Sequence, residues 1–325
     1  NLDRARLDGA RLNGATLSCA TLVKTRLKEA SLVSAKLDGA NLEQSDLDGA
    51  DLRKATLTRA VLKEASLVRA KLERANLVAA NLSSATLDGA HLALARLDGA
   101  ELKQASLQQV DMKRSSLVQT NLLEANLSQA QLPEANLTQA NLFGAILEAA
   151  NLFEATLDKA RLVRANLKDA NLNGASLREA ALEKADLTRA SLNGATLTAA
   201  SLERAKLDEA YLFEANLERS NLNEANLAGA YLENAVLVEA SLNGANMERA
   251  NLESADLTGA SLTGAKLKDA QYDRKTRWPE NFDPKAAGAL LVRKDPGQAV
   301  DSKRVNRSRP VFDNPLLNEA GEVGA

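Results

Sequence analysis

One cysteine, one histidine, one tryptophan and two methionines are spread over 325 residues, and aromatic side chains make up only 3% of the chain. A lone cysteine, Cys19, excludes an internal disulfide and leaves the compartment open. A lone histidine, His91, has no second histidine or cysteine to complete a metal site. No Gly-rich phosphate loop is present, and the longest apolar run, residues 286–292, is far too short to span a bilayer. Net charge is −2, so neither sign dominates, and the chain reads as soluble. Proline is nearly missing from the first 270 residues: Pro133 stands alone there, and the other five lie in residues 271–325.

Against these absences stands a dense regularity. Leucine, twice replaced by methionine, occupies every fifth position from Leu2 to Leu267, 54 positions without a gap. The position two before each is alanine, except at Thr25, Ser45, Val110, Ser115, Thr120 and Ser220. A step of five turns an α-helix by about 500°, so these leucines would scatter round it. In an extended segment such as Ala5-Arg6-Leu7, alanine and leucine both point inward and the middle residue outward. The next inward residue comes three later, an odd step, so the chain must turn a corner after each leucine. All thirteen glycines before residue 271, from Gly9 to Gly264, fall at the second corner position, where a type II turn needs positive φ. Pro133 takes the first, which suits its fixed φ. Corners bearing other pairs favour type I or irregular turns, so corner geometry is expected to vary.

A strip that turns the same way every five residues winds into a solenoid whose coils pair by backbone hydrogen bonds. Units such as Ala75-Asn76-Leu77-Val78-Ala79 and Ala185-Asp186-Leu187-Thr188-Arg189 resemble the pentapeptide-repeat pattern Ala-(Asp/Asn)-Leu-X-X, over residues 1–270. That resemblance implies an all-β fold, a right-handed quadrilateral parallel β-helix of about 13 coils. It would be a rod of roughly 65 Å at about 4.8 Å per coil. Four sides would stack Tyr211 on Tyr231, twenty residues apart.

Residues 271–292 bring the first large rings after the repeats, Tyr272, Trp278 and Phe282, and are expected to cap the last coil; this segment resembles the end of many cyanobacterial pentapeptide-repeat proteins. Asp283-Pro284 is a helix-start signal, which predicts a short helix over Lys285 to Leu291. Residues 293–325 read as a flexible tail with a basic cluster, Lys303, Arg304, Arg307 and Arg309, and an apolar island at Val311, Phe312, Leu316 and Leu317, a docking motif or a segment that folds back. Asn1 already lies within a repeat, which leads us to expect further sequence, a signal or an anchor upstream.

A filled interior leaves no concave site, so no enzyme, cofactor or metal is expected. Between Val110 and Thr120 the inward column is irregular, read either as repacking around Met112 or as a bulge that shapes a binding face. Tyr211, Phe213 and Tyr231 form a candidate protein-binding patch, or else rings that shield the sheet. The first reading of function is a non-catalytic scaffold or protein-interaction rod of unnamed partner, with oligomeric state open. A second is an assembly or linker factor at a membrane or photosynthetic complex, membrane contact resting on an upstream region or the basic tail. A third, from the family resemblance, is a DNA-mimic inhibitor of a type II topoisomerase, which the balanced charge argues against. The compartment is left between cytoplasm, lumen and periplasm.

Overall fold

A computed structural model describes residues 1–292. Each outward residue pairs in parallel with the residue twenty positions on, from Arg6 with Arg26 to Asn251 with Gln271. Four five-residue units therefore make one coil, and the two tyrosines do lie on adjacent coils. From Leu22 to Leu257 every leucine and methionine of the register is fully buried, and the alanines between them are 0–1% exposed. Hydroxyls in the alanine column find carbonyls inside. Thr25 and Thr120 donate to Leu2 and Leu97 of the preceding coil, whereas Ser45, Ser115 and Ser220 donate to the leucine or methionine three residues back.

The backbone donors of one unit can be followed individually. Outward Arg26 donates to Ala5 of the coil before, Leu2 to Thr21 of the coil after, second-corner Arg4 to Val23 of the coil after, and Ala5 to Leu2 across its own corner. This pattern repeats along the rod and occupies four donors of five. The fifth, the N–H of the first corner residue, has no backbone partner in the pattern. Side chains supply one. Each of the 21 outward Asn or Asp residues accepts the N–H two residues on, as Asn41 does from Glu43 and Asn136 from Thr138. Where the outward residue is Ser or Thr, an Asp or Asn at the corner one coil earlier often takes over: Asp38 accepts from Thr58 N and Thr56 Oγ1, and Asp158 from Arg178 N and Ser176 Oγ. The Asp/Asn preference of the repeat is thus a backbone cap, equivalent to an Asx turn.

Corner geometry does not vary as expected. Forty-one non-glycine residues at the second corner position hold φ between 53° and 61°, beside the thirteen glycines at 63° to 70°. The ladder imposes this: only a left-handed residue there can aim its N–H at the carbonyl of the next coil. No Val, Ile or Thr occupies that position, since a branched Cβ tolerates it least, while Val and Thr are common one residue earlier. At the irregular coil the corner bond from Val110 N to Leu107 O stretches to 3.4 Å, yet the pairs Asp111–Gln131 and Ser116–Asn136 remain, so no bulge forms.

Past Ala270 the winding continues for one more turn. Strand β1 (Gln271–Tyr272) pairs in parallel with β2 (Leu290–Leu291). Tyr272 and Trp278 occupy leucine-like places six residues apart, because the corner at 273–275 holds one extra residue; Thr276 then fills the small inward place and donates to Leu252 O. The helix expected over Lys285 to Leu291 does not form. Asp283 caps Lys285 and Ala286 as an N-cap would, but a single turn ends at Gly288, φ 89°, and the chain extends to lay Leu290 beside Gln271. Closing the ladder outweighs the local helix signal.

Two outcomes follow. Leu137→Asp buries an unpaired charge and costs about 3 kcal/mol or more in denaturant unfolding; Asn136→Asp keeps the cap and is silent, and Asn136→Ala loses about 1 kcal/mol. Equal losses at all three would contradict the assignment. Burial alone would raise the carboxyl pKa of Asp38, Asp186, Asp256 and Asp273, but hydrogen bonds from neighbouring hydroxyls and N–H groups bring each below its ordinary value; Asp51 is lowered first by Arg53. Asp208, raised by burial, acts in the opposite sense. A depressed folded pKa gives stability that is present above the unfolded value and lost as pH falls through the folded one. Melting temperature is therefore flat above about pH 5 and declines below about pH 4; a melt independent of pH down to about 2 would contradict the caps.

Candidate protein-interaction surface

Every outward position stands between two corners, so side chains from successive coils form columns about 4.8 Å apart. In one column the rings of Tyr211 and Tyr231 stack with centroids 5.0 Å apart and planes 4° off parallel. Tyr231 is 39% exposed and Tyr211 half-buried. Burial raises the Tyr211 hydroxyl pKa, Tyr231 and Glu209 add to that, and Arg189 opposes it. Phe213 stands at the next corner, its N–H held by Asn193 Oδ1 at 3.1 Å, and stacks on neither tyrosine. The sequence-predicted patch is therefore two stacked rings and a third on the adjoining corner. Its surroundings carry a fixed ion pair, Arg189 with Asp169 at 2.7 Å.

Tyr272, Trp278 and Phe282 are brought together at the last coil. Tyr272 meets Trp278 edge-on at 5.5 Å, and Trp278 stacks on Phe282 at 5.3 Å, all packed against the end of the core. The tail residues Val311, Phe312, Leu316 and Leu317, and the basic cluster from Lys303 to Arg309, lie outside the described residues. Among the described residues no group of three His, Cys, Asp or Glu side chains could hold a metal, and no helix is long and apolar enough to cross a membrane. An open notch lined by Val68, Arg69, Asp88, Gly89, Gln108 and Gln109 marks where Gly89 lacks a side chain. The sequence reading missed an apolar corner column, Leu123, Phe143 and Val163. Spacing of twenty, the cue that paired the tyrosines, would have found it.

A family model described as pentapeptide repeats matches residues 1–32, 35–74, 75–148 and 150–269. No curated protein matches the chain. Among solved structures, HetL, a pentapeptide repeat protein involved in heterocyst differentiation regulation from the cyanobacterium Nostoc sp. strain PCC 7120, is 38% identical. The match covers 62% of this chain and 88% of HetL, at a TM-score of 0.45. Rfr23 from the cyanobacterium Cyanothece 51142 is 45% identical, over 29% of this chain and 63% of its own, TM-score 0.29. QnrB1, a plasmid-mediated fluoroquinolone resistance protein, is 17% identical over 65% of this chain and 93% of its own, TM-score 0.34. With a repeat model matched along nearly all of residues 1–269 and the five-residue coil unit visible in the backbone, the chain belongs to the pentapeptide-repeat family.

Proposed function

We propose that the protein is a non-catalytic scaffold or protein-interaction rod. The observation that carries this is the closed interior: with register side chains fully buried from Leu22 to Leu257, chemistry is left to convex outer columns. Catalysis needs converging groups in a partly dry recess; a rod offers long, regular faces on which partners can be arrayed. The family's general role in structure and interaction agrees. The reading includes the right-handed, four-sided coil of about 13 turns that the resemblance implies, with residues 271–292 as its cap. Tyr211, Phe213 and Tyr231 are its partner-binding patch, since rings supply most contact energy per residue at interfaces. A partner at a membrane or photosynthetic complex is a special case of this role. The surface mixes 31 basic with 35 acidic residues over 1–270, which does not suit nucleic-acid mimicry.

The test is a quantitative pull-down with the full chain, comparing wild type with Tyr211→Ala/Phe213→Ala/Tyr231→Ala and with a control, Asn76→Ser. A partner lost from the triple variant and kept by the control supports the patch. Identical partner sets for all three would remove it.

A further inference from the structure

At many corners a long charged side chain finds its opposite one coil away: Arg114 with Glu134, Arg204 with Glu224, Arg219 with Glu239. One stretch departs from this. Backbone bonds from Gln104 to Leu123, Glu124 to Phe143 and Gly144 to Val163 place Leu123, Phe143 and Val163 on one corner of three successive coils. Ile146, 39% exposed, lies just past that corner, and Gly144 between them adds no side chain. Lys103 and Glu183 extend the column by one coil at either end. In the adjoining columns Glu124 and Arg164 flank Gly144, and Asn126 and Asn166 pair with Ile146 from either side.

Outward from the Phe143 coil, most positions of this corner are matched, charge against opposite charge and apolar or amide against its like, with Gln104 facing Lys184 as the exception. Lys103 answers Glu183, Glu124 answers Arg164, Leu123 answers Val163, and Asn126 answers Asn166. Among the described residues, none of the four charged groups forms an ion pair within the chain. Glu124 accepts a hydrogen bond from Gln104, Arg164 lies over the Phe143 ring at 6.0 Å, and one Glu183 oxygen is buried with no hydrogen-bond partner among the described residues.

We propose that this corner is a docking surface for a second copy of the chain, laid antiparallel about a two-fold axis that crosses the rod at the Phe143 coil. Such an axis returns each column onto itself with the coil order reversed. Lys103 then meets the partner's Glu183, Glu124 meets the partner's Arg164, Leu123 meets the partner's Val163, and Phe143 and Ile146 meet their own counterparts. A partner of different sequence would not require the two halves of one surface to match each other. Five coils at about 4.8 Å span only about 19 Å, so the interface is small and the dimer forms in the micromolar range or weaker.

Sedimentation of the full chain from about 10 to 500 μM tests this, with thermal melting of every variant as the check on folding. Wild type shows concentration-dependent dimerisation, Phe143→Asp abolishes it, and Phe153→Asp, on another corner, leaves it unchanged. Glu124→Arg and Arg164→Glu each weaken self-association by about tenfold. An equimolar mixture of those two variants recovers wild-type association, because each then offers the opposite charge at both contacts. If either variant melts early, Lys103→Glu and Glu183→Lys serve the same exchange. A monomer throughout, a dimer indifferent to Phe143→Asp, or a mixture no tighter than its components would each overturn the proposal.

Discussion

The rest of the structure depends on the hydrogen-bond ladder between coils. Each unit has five backbone donors, and the ladder with its own corner bond occupies four, at lengths near 2.6 to 3.1 Å along most of the rod. Buried or half-buried N–H groups cannot be left unpaired cheaply, so residue choice at every position follows from that arithmetic. Leucine and alanine fill what the ladder encloses. Positive φ at the second corner is required by the direction of one N–H, and branched side chains are excluded there in consequence. The donor that remains explains the Asp/Asn of the repeat, whether supplied two residues back, as at Asn136, or one coil back, as at Asp38.

This division of labour frees the outer columns. A residue facing solvent on the rod is constrained only by whether it caps its corner, so Tyr211, Phe143 and Ile146 can stand where Asn stands elsewhere or at a corner beside it without disturbing the core. Function in such a molecule is written as departures from the repeat on the outside. The exposed ion pairs between coils contribute little to stability individually; their value is in giving each face a fixed pattern of charge. Where the pattern leaves Lys103, Glu124, Arg164 and Glu183 without ionic partners among the described residues, the surface is suited to another molecule.

Much of the rod was legible in the sequence. The leucine and alanine columns fixed the inward positions, the glycine column fixed the corners, and Tyr211 and Tyr231 revealed the twenty-residue coil once four sides were supposed. Other features were not legible. The left-handed backbone of Arg4 or Glu154 follows from the ladder and contradicts what either residue prefers alone; the missing Val, Ile and Thr were the overlooked sign. Leu290–Leu291 looked like the end of a helix because Asp283-Pro284 is a sound start, and the strand it forms depends on contact with Gln271, distant in sequence. One extra residue before Thr276 hid the final coil by breaking the register by one. The Leu123–Phe143–Val163 column was missed because the twenty-residue spacing was applied to the tyrosines and not to aliphatic corner residues.

Residue-resolved amide hydrogen exchange of the first-corner N–H groups tests the central claim most directly. Those with a side-chain acceptor, such as Glu43, Thr58 and Thr138, should exchange slowly, while Lys63, Thr198 and Val238, whose outward neighbours Val61, Thr196 and Val236 provide no such cap, should exchange much faster. Equal protection in the two groups would contradict the account that side chains complete the ladder.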